Sequence, residues 1–150
     1  MTKQAPLEAA PPRDPAAYPH WCDDRVRYAD LDAVGHANNN AIGVYFEAAR
    51  VELLRDIGVA QVGGPIICVV ARLAIDYLKE MQLFEVVRIG QRIARIGTTS
   101  VVLHSAIFVK RDGAEVCTAT AEAVCVLVDG ASHRPTPIPP ATREELQRYA

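Results

Sequence analysis

The stretch 28–40 carries the residues that could do chemistry: Asp30, Asp32, His36, Asn38, Asn39 and Asn40. It lies between a strand-like run, Arg25–Val26–Arg27–Tyr28, and a long helical pattern that begins near Asn39. A carboxylate at the end of a strand, a few residues before a helix, can act as a general base toward water or attack a carbonyl directly. Asp32 is better placed for this than Asp30. The helix start supplies unpaired N–H donors. A thioester oxygen bound to one of them would be polarised as the tetrahedral intermediate forms, and loss of such a donor can cost about 10²–10³ in rate. Bland roles stand beside these. Asp30 and Asp32 also suit turns and caps, and Asn38, Asn39 and Asn40 are good N-cap residues. His36 could orient water, protonate a leaving group, contact a substrate carbonyl or simply brace the loop.

The elements that must position these groups follow from the pattern of apolar residues. Residues 25–31 read as a short strand. Ile42, Tyr45, Phe46, Ala49, Leu53 and Ile57 recur at helical spacing, predicting a helix from about Asn39 to Ile57 that stops at Gly58. Val44, Ala48 and Val51 make much of its other side apolar, so the helix is expected to be largely enclosed. Glu47 and Arg50, one turn apart, read by default as a surface ion pair.

The remainder reads as strands. Leu73, Ile75 and Tyr77 alternate with polar or small neighbours, and runs over 85–96, 100–110 and 115–128 follow, with Asp112–Gly113 as a hairpin turn. Cys117, Ala119, Ala121, Ala123 and Cys125 give the last strand one face of small side chains, inviting close approach of the long helix. Thr142 and Glu145 are spaced as a capping box for a short C-terminal helix. The order is strand, long helix, then about four strands, an α+β arrangement with an antiparallel sheet. One helix cannot cover both faces of that sheet, so an exposed face or edge is expected to meet another subunit.

Size and composition bound the answer. The chain has 150 residues, half of them hydrophobic, which supports one core. Residues 1–19, rich in proline and alanine, read as a flexible tail, and 20–150 as a single domain. A net charge of −2 gives no basic excess for nucleic acid or an anionic membrane surface. No apolar run reaches transmembrane length and no signal-peptide pattern opens the chain, so a cytoplasmic location is expected. Cys22, Cys68, Cys117 and Cys125 show no zinc spacing and read as buried free thiols. Asp32 and His36 lack a third ligand nearby, His20, His104 and His133 are scattered, and no phosphate-cradling glycine motif occurs, so no metal or cofactor is expected.

At these residues the chain resembles the hotdog-fold acyl-CoA thioesterases, the group that includes 4-hydroxybenzoyl-CoA thioesterase. Their pattern is roughly D-x-D-x-x-G-H-x-N-N-x-x-Y-x-x-x-x-E-x-A-R. Asp30, Asp32, Gly35, His36, Asn38, Asn39, Glu47, Ala49 and Arg50 match in type and spacing. Ile42 replaces the usual tyrosine, a change expected to reshape the acyl pocket or remove a polar contact. The resemblance covers roughly residues 22–130. It implies a hotdog fold, a curved antiparallel sheet wrapped around the long helix, with a homodimer or homotetramer whose active sites lie at subunit interfaces. It also implies a catalytic role for Asp32, assisted by His36, with an oxyanion donor near Asn39. Substrate contacts are then expected from Asn38, Ile42 and Tyr45. Thr98 stands where related chains often carry arginine or asparagine beside a serine-rich turn, so the family's phosphate contacts to CoA do not carry over directly; Arg95, Thr99 and Ser100 are the remaining candidates, with Thr99 and Ser100 taken as substrate-binding.

The leading expectation is hydrolysis of an acyl-CoA or acyl-carrier-protein thioester. A hotdog enoyl-CoA hydratase typically has four residues between its aspartate and histidine, whereas three lie between Asp32 and His36. Thioesterases with a glutamate on the helix carry a His-Gly-Gly sequence that is absent here. The alternative of another class is a non-catalytic acyl-CoA-binding protein that kept the fold.

Overall fold

The structure, a computed structural model, describes residues 9–59 and 63–150. Five strands and one long helix make the body: β1 (His20–Arg25), α1 (Asn39–Ile57), β2 (Ile66–Tyr77), β3 (Val86–Ile96), β4 (Ser100–Arg111), β5 (Ala114–Asp129) and a terminal α2 (Pro140–Gln147). The strands form one antiparallel sheet in the order β1-β3-β4-β5-β2, wrapped around α1. This is the α+β hotdog arrangement.

The helix begins and ends where its sequence dictates. The Asn38 side chain accepts the Asn40 N–H at 2.8 Å, and Gly58 closes the helix in the left-handed region at φ 91°. Ile42, Tyr45, Phe46, Ala49, Leu53 and Ile57 are buried against the inner sheet face, but Val44 and Val51 are 55% and 47% exposed, so the helix is not enclosed within one chain. It comes closest to β1 and β3 rather than to β5. There the buried Gln91 side chain donates to the Ala49 carbonyl at 2.7 Å. Ala119 and Ala121 of β5 instead share a core cluster with Tyr45 and Phe46, leaving room for those rings.

Other expectations are corrected. The first strand lies upstream of 25–31: after Val26 pairs with Phe84 and Glu85, the Asp30 carboxylate takes the Arg27 N–H at 2.8 Å and turns the chain into a 3-10 turn, Tyr28–Asp30. Cys117 leaves the small-residue face because a bulge at Thr118, between the pairs Ile107↔Ala119 and Phe108↔Cys117, breaks the alternation. It joins Tyr18, Ala106 and Phe108 on the outer face. Of the four cysteines, all free, only Cys125 is fully buried. Helix α2 opens on Pro140 with no side-chain cap, and Glu145 pairs with Arg148 at 3.0 Å.

Part of the segment expected to be a loose tail is docked. Tyr18 is 4% exposed, packs edge-on against Trp21 and Phe108, and donates to the Pro12 carbonyl. Residues 1–8 lie outside the described residues. No helix among the described residues is long and apolar enough to cross a membrane.

Candidate active site

The loop between β1 and α1 is fastened from within. Asp32 donates its N–H to the His36 carbonyl at 2.8 Å, and Gly35, at φ 86°, donates to the Asp32 carbonyl at 3.1 Å. Only a residue free of Cβ strain adopts that φ readily. The Asp32 Oδ1 accepts the Val34 N–H at 2.9 Å and the His36 N–H at 3.2 Å. Its Oδ2 has no hydrogen-bond partner among the described residues. The loop therefore spends one carboxylate oxygen on its own shape and leaves the other available.

Asp30 is used differently. Its Oδ2 accepts the Tyr45 hydroxyl at 2.6 Å and the Arg27 N–H at 2.8 Å, while its carbonyl takes the Asn38 N–H at 2.8 Å. Tyr45 is buried, and burial followed by the Asp30 bond pushes its hydroxyl well above the usual phenol range. Asp30 is thus a brace that fixes the start of α1. The first-turn N–H of Asn39 is left without an acceptor among the described residues.

The opposite wall comes from the segment after β2. Leu78 and Lys79 donate their N–H groups to the Thr118 carbonyl at 2.9 and 3.0 Å, the bulged residue of β5. Ala37 donates to the Met81 carbonyl at 2.9 Å, and His36 bridges to Gln82, fastening the two walls together. Arg111 grips Glu85 with two bonds, at 2.7 and 2.9 Å, and also donates to the Glu80 carbonyl at 2.6 Å. The Arg111 bonds hold the Glu85 carboxyl below its ordinary pKa.

Between the walls is a cleft of about 250 Å³ lined by Asp32, His36, Ala37, Asn39, Ile42, Tyr77, Leu78, Lys79, Glu80 and Met81. The structure brings Asp32, His36, Asn39 and Ile42 together in it. Asn38 caps the helix at the rim, and Tyr45 lies behind the wall rather than in the lining. Thr99 and Ser100 are far away. Ser100 pairs with Val126, seven positions along β5 from the Ala119 that pairs with Tyr77. That separation is about 23 Å at ~3.3 Å per residue. Within one chain these two residues do not meet the cleft. Glu80, whose Oε2 lies 3.2 Å from His36 Nε2, and Lys79 were not anticipated from sequence. Nothing local marks them, because the Thr118 carbonyl that anchors their segment is on another strand.

Comparison with known proteins identifies the family of the fold. The chain has a TM-score of 0.83 and 30% identity to the PA5185 protein of Pseudomonas aeruginosa, covering 92% of this chain and 96% of that one. A thioesterase-superfamily protein from a Jannaschia species gives 0.78 at 32% identity, covering 86% and 81%. A Thermus thermophilus thioesterase complexed with coenzyme A and zinc gives 0.74 at 30%, covering 87% and 98%. The Bacillus subtilis protein YsmA is 30% identical over 79 residues, 53% of this chain and 54% of that relative, so the match spans about half of its length. The family model of the thioesterase-like superfamily matches residues 26–146, a span that contains both walls of the cleft and the whole of α1, and the chain belongs to that superfamily.

Proposed function

We propose that this protein hydrolyses an acyl thioester, of coenzyme A or an acyl carrier protein, at the Asp32 cleft. The observation that carries the reading is the division of labour in Asp32. Oδ1 is held by two backbone N–H groups and Oδ2 is unpartnered in a cleft it shares with the first turn of α1.

Asp32 Oδ2 takes a proton from water as the water oxygen attacks the thioester carbonyl, or attacks that carbon itself to give an anhydride that water then cleaves. Either route puts negative charge on the carbonyl oxygen, where the Asn39 N–H at the positive end of α1 stabilises it. Collapse breaks the C–S bond, and the thiolate leaves as the thiol once protonated. His36, paired with Glu80, sits in the same cleft to orient water or supply that proton. The coenzyme A bound to the Thermus thioesterase supports CoA as the thiol. Asn38 and Ile42 shape the substrate side, and Tyr45 acts through Asp30.

The open edge β2 supports a homodimer or homotetramer. Val69, Val70, Leu73 and Tyr77 on it are 41–47% exposed, and among the described residues no strand lies beside its outer backbone edge. Pairing there would bring a second chain against the cleft beside Tyr77. Contacts to the substrate from Thr99 and Ser100 then require the other subunit's copies.

Free-thiol release from a panel of aromatic and aliphatic acyl-CoAs tests the reading. Asp32→Asn retains an Oδ1 that accepts the same two N–H groups, so the loop should survive while turnover falls at least 10²-fold. Full activity in this variant would remove Asp32 from the mechanism.

A further inference from the structure

Glu47 and Arg50 do not form the ion pair their spacing suggests. Glu47 is exposed. Arg50 is only 8% exposed, yet no carboxylate lies within 4 Å of it and no hydrogen bond reaches it among the described residues. Its nitrogens keep only a narrow opening to solvent and have no counter-ion among the described residues, so a carboxylate brought there by a second chain would form a charge-assisted pair.

Its surroundings show from which side a partner can reach it. Glu52 and Asp56 turn the other flank of α1 toward β1, where Glu52 accepts the Cys22 thiol at 3.2 Å and Asp56 lies 3.7 Å from His20. At about 100° per residue Arg50 points away from them, one turn before Leu54, which clusters with Cys68 of β2 and Cys125 of β5. Arg50 therefore sits on the flank of α1 that faces β2, the open edge. Glu47, three positions earlier, lies on the same flank about 4.5 Å nearer the helix start. The Asp32 cleft is elsewhere: Asn39 is eleven positions from Arg50, about 16 Å along the axis. A substrate group held at Asp32 does not neutralise Arg50.

We infer that Glu47 and Arg50 form reciprocal ion pairs across a two-fold interface between two copies of this chain, each Arg50 receiving the carboxylate of Glu47 of the partner subunit. The inference rests on the β2 assembly proposed above. Pairing β2 with itself over its whole length puts the two-fold axis beside Ala71 and Arg72, near the level of Arg50. The two α1 helices then run antiparallel past that axis. Antiparallel copies of a short Glu-to-Arg interval place unlike charges opposite each other. The same contact buries the exposed Val70 and Leu73 and excludes water from the ion pairs.

Mixing two oppositely altered chains tests this. Glu47→Arg makes both positions of one chain cationic, and Arg50→Glu makes both positions of another anionic. Dimer formation is read by sedimentation velocity and native mass spectrometry, with one chain carrying a mass tag. Each variant alone should dimerise about 30-fold or more weakly than wild type. Their mixture should recover wild-type affinity almost wholly as the heterodimer, since attraction is available only between chains. Unweakened single variants, or a statistical 1:2:1 mixture, would overturn the ion pairs while leaving the β2 assembly intact. A monomeric wild type would overturn both the assembly and the pairs. If circular dichroism shows Arg50→Glu unfolded, Glu47→Gln at an exposed position replaces the mixing arm. A dimer constant unchanged in that variant overturns the inference.

Discussion

Asp30 and Asp32 are two residues apart, and the structure assigns them separable duties that a stability measurement can resolve. In Asp30→Ala, the Tyr45 hydroxyl stays buried, at 1% exposure for the residue, without an acceptor. That orphaned group costs about 1–3 kcal/mol, and the lost Arg27 N–H bond adds about 1 kcal/mol. The sum, ~2–4 kcal/mol, lowers Tm by about 5–12 °C in a domain of this size. In Tyr45→Phe the donor is gone but Asp30 keeps the Arg27 N–H at 2.8 Å and the nearby guanidinium, so the cost is only about 1 kcal/mol. Once Tyr45 is phenylalanine, removing Asp30 leaves no buried hydroxyl behind. The double variant should therefore be more stable than the sum of the singles allows, by about 1–2 kcal/mol. Urea unfolding of the four proteins closes the cycle. Effects that add within about 0.5 kcal/mol would refute the brace. Asp32→Asn in the same assay should shift stability by less than about 1 kcal/mol, because its backbone bonds survive.

Two further outcomes follow from other contacts. A Cβ on Gly90 would lie 2.8 Å from both Cβ and Cγ of Tyr18, so Gly90→Ala should lift that ring off the sheet at a cost of about 1–3 kcal/mol. Limited trypsin digestion should then cut at Arg13 faster than in wild type, and an unchanged rate would mean that Tyr18 does not hold the segment. Glu85 is held below its ordinary pKa by Arg111, so its folded form binds a proton less readily than its unfolded form. Its contribution is present above the ordinary value of 4.5 and is lost as pH falls through the lower folded value. The stability gap between wild type and Glu85→Gln should therefore shrink as pH drops below about 4.5. A gap that stays constant down to pH 3 would contradict the Arg111 grip.

Much of this was legible where the determinants are local. Asn38, Gly58 and the apolar spacing between them fix α1 without reference to the rest of the chain. Asp32, His36 and Asn39 are brought together by a loop that bonds mainly to itself, so their association could be read from one short stretch. The failures have non-local or competing causes. Asp30 looked like the end of a strand, but its carboxylate captures the Arg27 N–H and ends the strand early. Cys117 looked like part of an alternating face until one extra residue, Thr118, reversed the sides. Thr142 and Glu145 had capping-box spacing, but Pro140 starts the helix first. Arg50 had an available partner one turn away and does not use it, which no spacing rule could show.

The Thr118 carbonyl links the sheet to the cleft. The Thr118 carbonyl points toward β2, one pair beyond Tyr77↔Ala119, so the Leu78 N–H continues the β2–β5 ladder onto it. The same carbonyl also takes the Lys79 N–H, while the Thr118 hydroxyl donates to the Ile107 carbonyl at 3.3 Å. Those two bonds turn the chain so that Lys79, Glu80 and Met81 face the Asp32 loop. Met81 is then positioned to accept the Ala37 N–H, and Glu80 to meet His36. The cleft therefore depends on a residue that lines none of it. Two successive N–H groups on one carbonyl cannot continue a ladder, so the strand ends there and the segment that turns away is the whole second wall. The Asp32 loop can hold its own shape, but only this wall gives it a cleft to face.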